Sequence, residues 1–359
     1  MGQRYIGAKT RILSIILNEV RRIAPPGATV ADLMCGTGSV ALELRLAGYR
    51  VVANDVMRQA YHITRAKLFL ERAPPFEGVG PHLTTEGQRL LSGGGGYQRL
   101  LQQLNTLPPI EGYFWREFSP GGRPENGTVP RKYFSTDNAR RIDACRTFVG
   151  RLARDHAVSE IEFSLLVHDL IMAANDCANI AGTYGHYLSR FVPRALQSFC
   201  VKPMEFERGG LARGHKVFNS RAEDIARSIK ADICYLDPPY KKRQYAANYH
   251  ILETIAKGDE PEAIGVSGLR DWWDEYSDFC SKVKFGPALE RIIGEADCPR
   301  FLLSYSSEGL LSIDALTELL SKFGTVAVKQ FPYKRFKSRN EVESENVTEY
   351  LFSLRKTGS

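Results

Sequence analysis

The chain has 359 residues, enough for one large α/β domain with an inserted lobe or for two domains. A hydrophobic content of 43% excludes a mainly disordered chain, and no apolar run approaches the roughly 18–20 residues that span a bilayer. The net charge of +7 is compatible with a polyanionic partner without requiring one.

Met1-Gly2-Gln3-Arg4-Tyr5 lacks the apolar core of a signal peptide, so a cytoplasmic protein is expected. Seven scattered cysteines, with no C-x-x-C pair, predict reduced thiols, no disulfide framework and no metal site. In chain order, Ile12, Leu13, Ile16, Leu17 and Val20 repeat at helical spacing until Pro25-Pro26-Gly27. Thr29 to Met34 is a short apolar strand running into Cys35-Gly36-Thr37-Gly38. A buried helix with Val40, Leu44 and Ala47 follows and stops at Gly48, and Arg50 to Asp55 is the next strand. Strand, glycine loop, helix, strand is the opening unit of a doubly wound parallel sheet.

From about residue 74 the pattern changes, and 74–200 is expected to form an inserted, largely helical lobe between catalytic segments 1–73 and 201–359. Aromatic and basic residues interleave over 113–141, including Tyr113, Phe114, Trp115, Arg131, Tyr133 and Phe134. They suit either target recognition or the core of a small lobe. Ser159 with Glu162 has the spacing of a capping box. Later, Asp232 to Leu236 is a strand leading into Asp237-Pro238-Pro239-Tyr240. Arg300 to Tyr305 is another strand, a helix follows near 312–323, and 326–328 and 348–354 suit a closing antiparallel pair at a sheet edge.

The Asp237-Pro238-Pro239-Tyr240 turn carries the strongest chemical signal. The exocyclic amine of adenine is a poor nucleophile, because its lone pair is delocalised into the ring. Two acceptors on its hydrogens favour the tetrahedral nitrogen that attacks a sulfonium methyl. Asp237 offers a carboxylate and Pro238 a carbonyl, held in place by the stiff pair with Pro239. Tyr240 offers a flat ring for an extruded base. Gly36 and Gly38 permit close approach of a ligand to the backbone. Asp55, ending the next strand, is placed to hold a ribose, and Asp32 to face the amino-acid portion of an adenosine cofactor. No Walker lysine follows the loop, which excludes a P-loop nucleotidase. No Pro-Cys pair marks a cytosine C5 nucleophile, and His250 suits a structural role better than a catalytic one.

These motifs resemble, in order, those of the D12-class, Dam-like adenine-specific DNA methyltransferases. Tyr5-Ile6-Gly7-Ala8-Lys9 resembles the family's N-terminal cofactor motif, the Gly36/Gly38 loop its motif I, Asn54-Asp55 its motif II and Asp237 to Tyr240 its motif IV. Arg243-Gln244-Tyr245, Asn248-Tyr249-His250 with Glu253, and Gly182-Thr183-Tyr184-Gly185 resemble a restriction–modification subgroup. Leu33-Met34 stands where the family often has Pro-Phe.

The resemblance implies a Rossmann-like fold with a mixed, mainly parallel sheet and S-adenosylmethionine as cofactor. It implies methylation of N6 of a flipped adenine in double-stranded DNA, with a cognate restriction endonuclease as partner. It assigns cofactor binding to Tyr5, Lys9, Asp32, Gly36, Gly38, Asp55, Asp224 and Asp237, with Asp224 near the cofactor adenine. The basic residues Lys241, Lys242 and Arg243, and Lys334, Arg335 and Lys337, are expected on DNA phosphates. The alternatives are N4-cytosine or RNA N6-adenine methylation on the same fold, or a catalytically silent DNA-binding module.

Overall fold

A computed structural model describes residues 12–83, 95–127, 129–210, 212–333 and 347–358. Its secondary structure follows the local grammar of the sequence. Helix α1 (Leu13–Ile23) buries Ile16 and Val20 and ends before Pro25. β1 (Thr29–Asp32) leads through the glycine loop into α2 (Ser39–Leu46), which leaves through Gly48 at φ 89°, a conformation that favours glycine. β2 (Arg50–Asp55) is followed by α3 (Arg58–Phe69). Then come α4 (Gly96–Thr106), α5 (Tyr113–Phe118), α6 (Thr136–Arg154) and α7 (Glu160–Asp176). The capping box on α7 is formed: the Ser159 side chain accepts from Glu162 N–H, and the Glu162 carboxylate accepts from Ser159 N–H at 2.8 Å.

Apart from one-turn helices, the remaining elements are β3 (Lys216–Asn219), β4 (Ile233–Leu236), α8 (His250–Lys257), α9 (Lys282–Glu295), β5 (Arg300–Ser306), α10 (Ile313–Ser321), β6 (Gly324–Tyr333) and β7 (Val347–Lys356). The strands form one seven-stranded sheet in the order β3-β2-β1-β4-β5-β7-β6. β7 pairs antiparallel with both β5 and β6, while the other pairings are parallel. The fold is therefore Rossmann-like α/β with a mixed, mainly parallel sheet, and the expected antiparallel pair closes one edge. Strand β3 and helix α9 are additions to the elements expected from sequence.

The chain divides into two compact units. One contains the whole sheet, with described residues 12–56, 209–245 and 275–358; the other is helical, with residues 57–208 and 246–274. The helical unit is larger than the expected 74–200 lobe, because α3 and α8 pack on α7. α7 is buried on nearly every side. The core of the sheet unit includes Leu33, Leu236, Phe285, Leu289, Phe301 and Phe352. Among the described residues, no helix is long and apolar enough to cross a membrane.

Most aromatic residues of the 113–141 segment are core, while Trp115 is half-buried and Arg123 is exposed. Tyr113, Phe114, Phe118, Tyr133 and Phe134 are buried, with edge-to-face contacts among them. Arg131 is buried as well and salt-bridges Glu117 at 2.7 Å. An aromatic run with interleaved arginines builds a small core here because the buried guanidinium finds a carboxylate and a ring of backbone carbonyls.

Candidate active site

In the sheet unit, the strand order reverses direction between β1 and β4: β2 and β3 lie to one side of β1, β5 to the far side of β4. Loops leaving the carboxyl ends of two such strands diverge and open a crevice, the usual ligand position in open α/β sheets. The loop after β1 carries Gly36 and Gly38, and the turn after β4 is Asp237-Pro238-Pro239-Tyr240. Register sets them side by side, since Asp32 pairs with Tyr235, and Leu33 N–H donates to the Tyr235 carbonyl at 3.3 Å.

The glycine loop is held from β2. Gly36 and Gly38 adopt φ of 52° and 68°, left-handed values that a side chain would strain. Gly36 N–H donates to Asp55 Oδ2 at 2.8 Å, and Cys35 N–H to the Asn54 carbonyl at 3.0 Å. Fully buried Asn54 clasps three strand ends. Its Nδ2 donates to the carbonyls of Leu33 and Ser220, each at 3.0 Å, and its Oδ1 accepts from Ser220 N–H at 3.2 Å. Asn54 stands in the Asn54-Asp55 motif at the end of β2. A polar residue inside an apolar strand was the available signal.

Asp32 is 1% exposed, and its two oxygens are buried with no hydrogen bond of good geometry, Met34 N–H giving only partial relief. Burial first, then the charges of Asp237 and Asp55, push its carboxyl well above the usual range. An unmatched carboxyl inside a protein costs stability, so its presence calls for an explanation. Three carboxylates at adjacent strand ends, beside a loop that admits close approach, fit a ligand that carries ribose hydroxyls and positive charge.

Beyond β4, Asp237 is half-buried and Pro238 buried. The Tyr240 carbonyl accepts from Leu310 N–H at 3.1 Å, and its ring meets Tyr305 edge-to-face with centroids 6.1 Å apart. The next residues are pinned too. Gln244 exchanges two hydrogen bonds with the Ser277 backbone, at 3.0 and 2.9 Å, and the Cys280 thiol donates to the Arg243 carbonyl. Lys241, Lys242 and Arg243 are exposed on this braced segment. Lys241 is in an ion pair with Glu308 at 2.6 Å, a partner 67 residues away that sequence spacing could not suggest.

Other predicted residues are not gathered here. Asp224, in the one-turn helix Ala222–Ile225, is exposed, and its carboxylate pairs with Arg291 at 3.2 Å and Arg221 at 3.9 Å. Tyr5, Lys9, Lys334, Arg335 and Lys337 lie outside the described residues.

In the helical unit, two motifs left without a role turn out to be one clasp. Tyr184 N–H donates to the Asn248 carbonyl at 2.8 Å, and the Tyr184 carbonyl takes the Tyr133 hydroxyl at 2.8 Å and lies 3.0 Å from His250 Nε2. Burial lowers the His250 pKa to about 3, so the ring stays neutral and structural. Glu253, 1% exposed, caps α3 by accepting from the N–H groups of Arg58 and Gln59 at 2.8 and 3.0 Å.

The pattern that defines the D12 class N6 adenine-specific DNA methyltransferases matches residues 5–319. The Type II methyltransferase M.NlaIII of Neisseria lactamica is 33% identical, over 98% of this chain and 99% of that protein. The Type II methyltransferase M.FokI of Planomicrobium okeanokoites is 33% identical over 98% of this chain, and Modification methylase StsI of Streptococcus sanguinis 30% identical over 98%. The chain spans about half the length of these last two, 52% of each.

Proposed function

Because this chain belongs to the D12 class of N6 adenine-specific DNA methyltransferases, we propose that its catalytic centre lies at the carboxyl ends of β1, β2 and β4. The chain is an S-adenosylmethionine-dependent DNA methyltransferase of the restriction–modification type. When bound, S-adenosylmethionine supplies the electrophilic methyl. Asp237 and the Pro238 carbonyl accept hydrogen bonds from the two N–H groups of adenine N6, drawing its lone pair out of conjugation and stabilising the charge that develops. Pro239 stiffens the turn, and Tyr240 offers its ring to the extruded base.

On the cofactor side, Gly36 and Gly38 admit the ligand against the backbone, Asp55 holds the ribose, and Asp32 faces the ammonium end. Asp224 is assigned to the cofactor adenine, which requires it to leave Arg291. Tyr5 and Lys9 complete this side. Lys241, Lys242 and Arg243, with Lys334, Arg335 and Lys337, contact DNA phosphates. The inserted lobe, 74–200, selects the target sequence. The enzyme works in the cytoplasm beside a restriction endonuclease that cuts the same site.

The observation that carries this reading is the adjacency of the Asp237 turn to the Asp32–Gly38 loop at the point where the strand order reverses. It is tested by incubating the purified protein with S-adenosylmethionine and unmethylated DNA and identifying the modified nucleoside. Wild type yields N6-methyladenine, while Asp237→Ala loses at least about 100-fold with an unchanged circular dichroism spectrum. Undiminished transfer by that variant, or N4-methylcytosine from the wild type, refutes the assignment.

A further inference from the structure

The buried carboxyl of Asp32 has a consequence beyond holding a ligand. It sits at the end of β1 with Asp55 on one side, at the end of β2, and Asp237 on the other, two residues past its register partner Tyr235. Among the described residues, the charges acting on it are those two carboxylates, both negative. The other titratable neighbours come from β4. Cys234 is fully buried, with its thiol pushed up by desolvation; Tyr235, also buried, shares a hydrogen bond with Ser304 Oγ at 2.8 Å. Both stay protonated through the neutral range, so of the fully buried groups here Asp32 is the one poised to exchange a proton.

We propose that Asp32 is the residue by which the enzyme distinguishes its charged cofactor from the neutral-sulfur product, giving up a proton when a cation enters the Asp32–Asp55–Asp237 cluster. The inference rests on the functional reading above. S-adenosylmethionine carries a sulfonium and an ammonium against one carboxylate, whereas S-adenosylhomocysteine has a thioether and no net charge. A cation beside three carboxylates favours the ionised form of the one that is otherwise hardest to ionise. The proton leaves Asp32 for solvent on binding and returns once methyl transfer has removed the sulfonium charge. Loss of the methyl thereby weakens the grip on the product, and the effect grows with pH.

Titration calorimetry in buffers of differing ionisation enthalpy counts the protons released by each ligand. The expected result is a larger release with S-adenosylmethionine than with S-adenosylhomocysteine near pH 7, and loss of that difference in Asp32→Asn. In the wild type alone, the ratio of the two dissociation constants should favour S-adenosylmethionine increasingly as pH rises, by up to about tenfold per pH unit, the linkage limit for one proton. This second measurement keeps the inference testable if the variant folds poorly. Equal proton release with a pH-independent ratio overturns the role of Asp32, as does a difference that persists in Asp32→Asn. Failure of both ligands to bind the wild type overturns the functional reading itself, and the inference with it.

Discussion

Arg131→Met should unfold the helical unit at markedly lower denaturant concentration. The Arg131 side chain is 1% exposed, and its Nη1 lies 2.7 Å from Glu117 Oε2, itself on a side chain 2% exposed. Nη1 also donates to the Glu117 carbonyl at 3.2 Å, and Nη2 to the carbonyls of Asn126, Ala263 and Gly265 at 3.0, 3.1 and 3.0 Å. Methionine fills the volume but leaves a buried carboxylate and several carbonyls short of donors. Breaking one side of a buried pair costs about 3–5 kcal/mol. At about 2–4 °C per kcal/mol for a unit of this size, the melting point falls by roughly 6–20 °C. Trp115, Trp272 and Trp273, the three tryptophans of the chain, all lie in this unit, so their fluorescence in a urea titration follows it selectively. Glu117→Leu combined with Arg131→Met should recover part of the loss, because no unpaired charge remains buried; Arg116, which also pairs with Glu117, is partly exposed and lies 3.9 Å from Glu125. A single variant that loses less than about 1 kcal/mol, or a double no better than the single, refutes the claim that this pair holds the lobe.

Lys242→Ala and Arg243→Ala should each lower the slope of log affinity against log salt for DNA by about 1, measured by fluorescence anisotropy. Lys241→Ala should change it less, since Glu308 already engages that ammonium. An unchanged slope in the first two variants removes them from the DNA interface. Burial lowers the pKa values of His62 and His250 to about 3, while the unfolded chain protonates them near 6.5. Their contribution to stability is therefore complete above pH 6.5 and is lost as pH falls toward 3, at up to about 1.4 kcal/mol per histidine per pH unit. His250→Gln should flatten that loss in urea titrations at pH 7.5 and 5, and an equally steep variant contradicts the assignment. Burial raises the Asp143 pKa to about 6, against Gly112, Phe114 and Trp115 amides that favour its ionised form. Its contribution has the opposite sign, so stability falls as pH rises from about 4 to 6, and Asp143→Asn should abolish that component.

What could be read from the chain was local. The β1–loop–α2–β2 unit was legible because Gly36, Gly38 and Gly48 punctuate apolar runs, and each adopts positive φ. The cap at Ser159 was legible because its partner, Glu162, is three residues away. Strand β3 was not, since its four residues are exposed or only partly buried and carry no clear alternation. Gly286 and Pro287 disguised α9 as a break, although Phe285, Leu289 and Ile292 hold it in the core. The 113–141 aromatics were ambiguous in principle, because a DNA-reading face and a small core call for the same residue types.

The sequence by itself determined the chemistry: an Asp-Pro-Pro-Tyr turn after an apolar strand, a glycine loop, and an acid ending the next strand, each written in adjacent residues. Only the tertiary structure decided which charges are spent and which are held in reserve. Lys241 is met by Glu308, Asp224 by Arg291 and Arg131 by Glu117, while Asp32 is buried between two other carboxylates. The physical reason is that desolvation and pairing depend on what approaches from distant parts of the chain. Spacing along the sequence carries no record of those approaches.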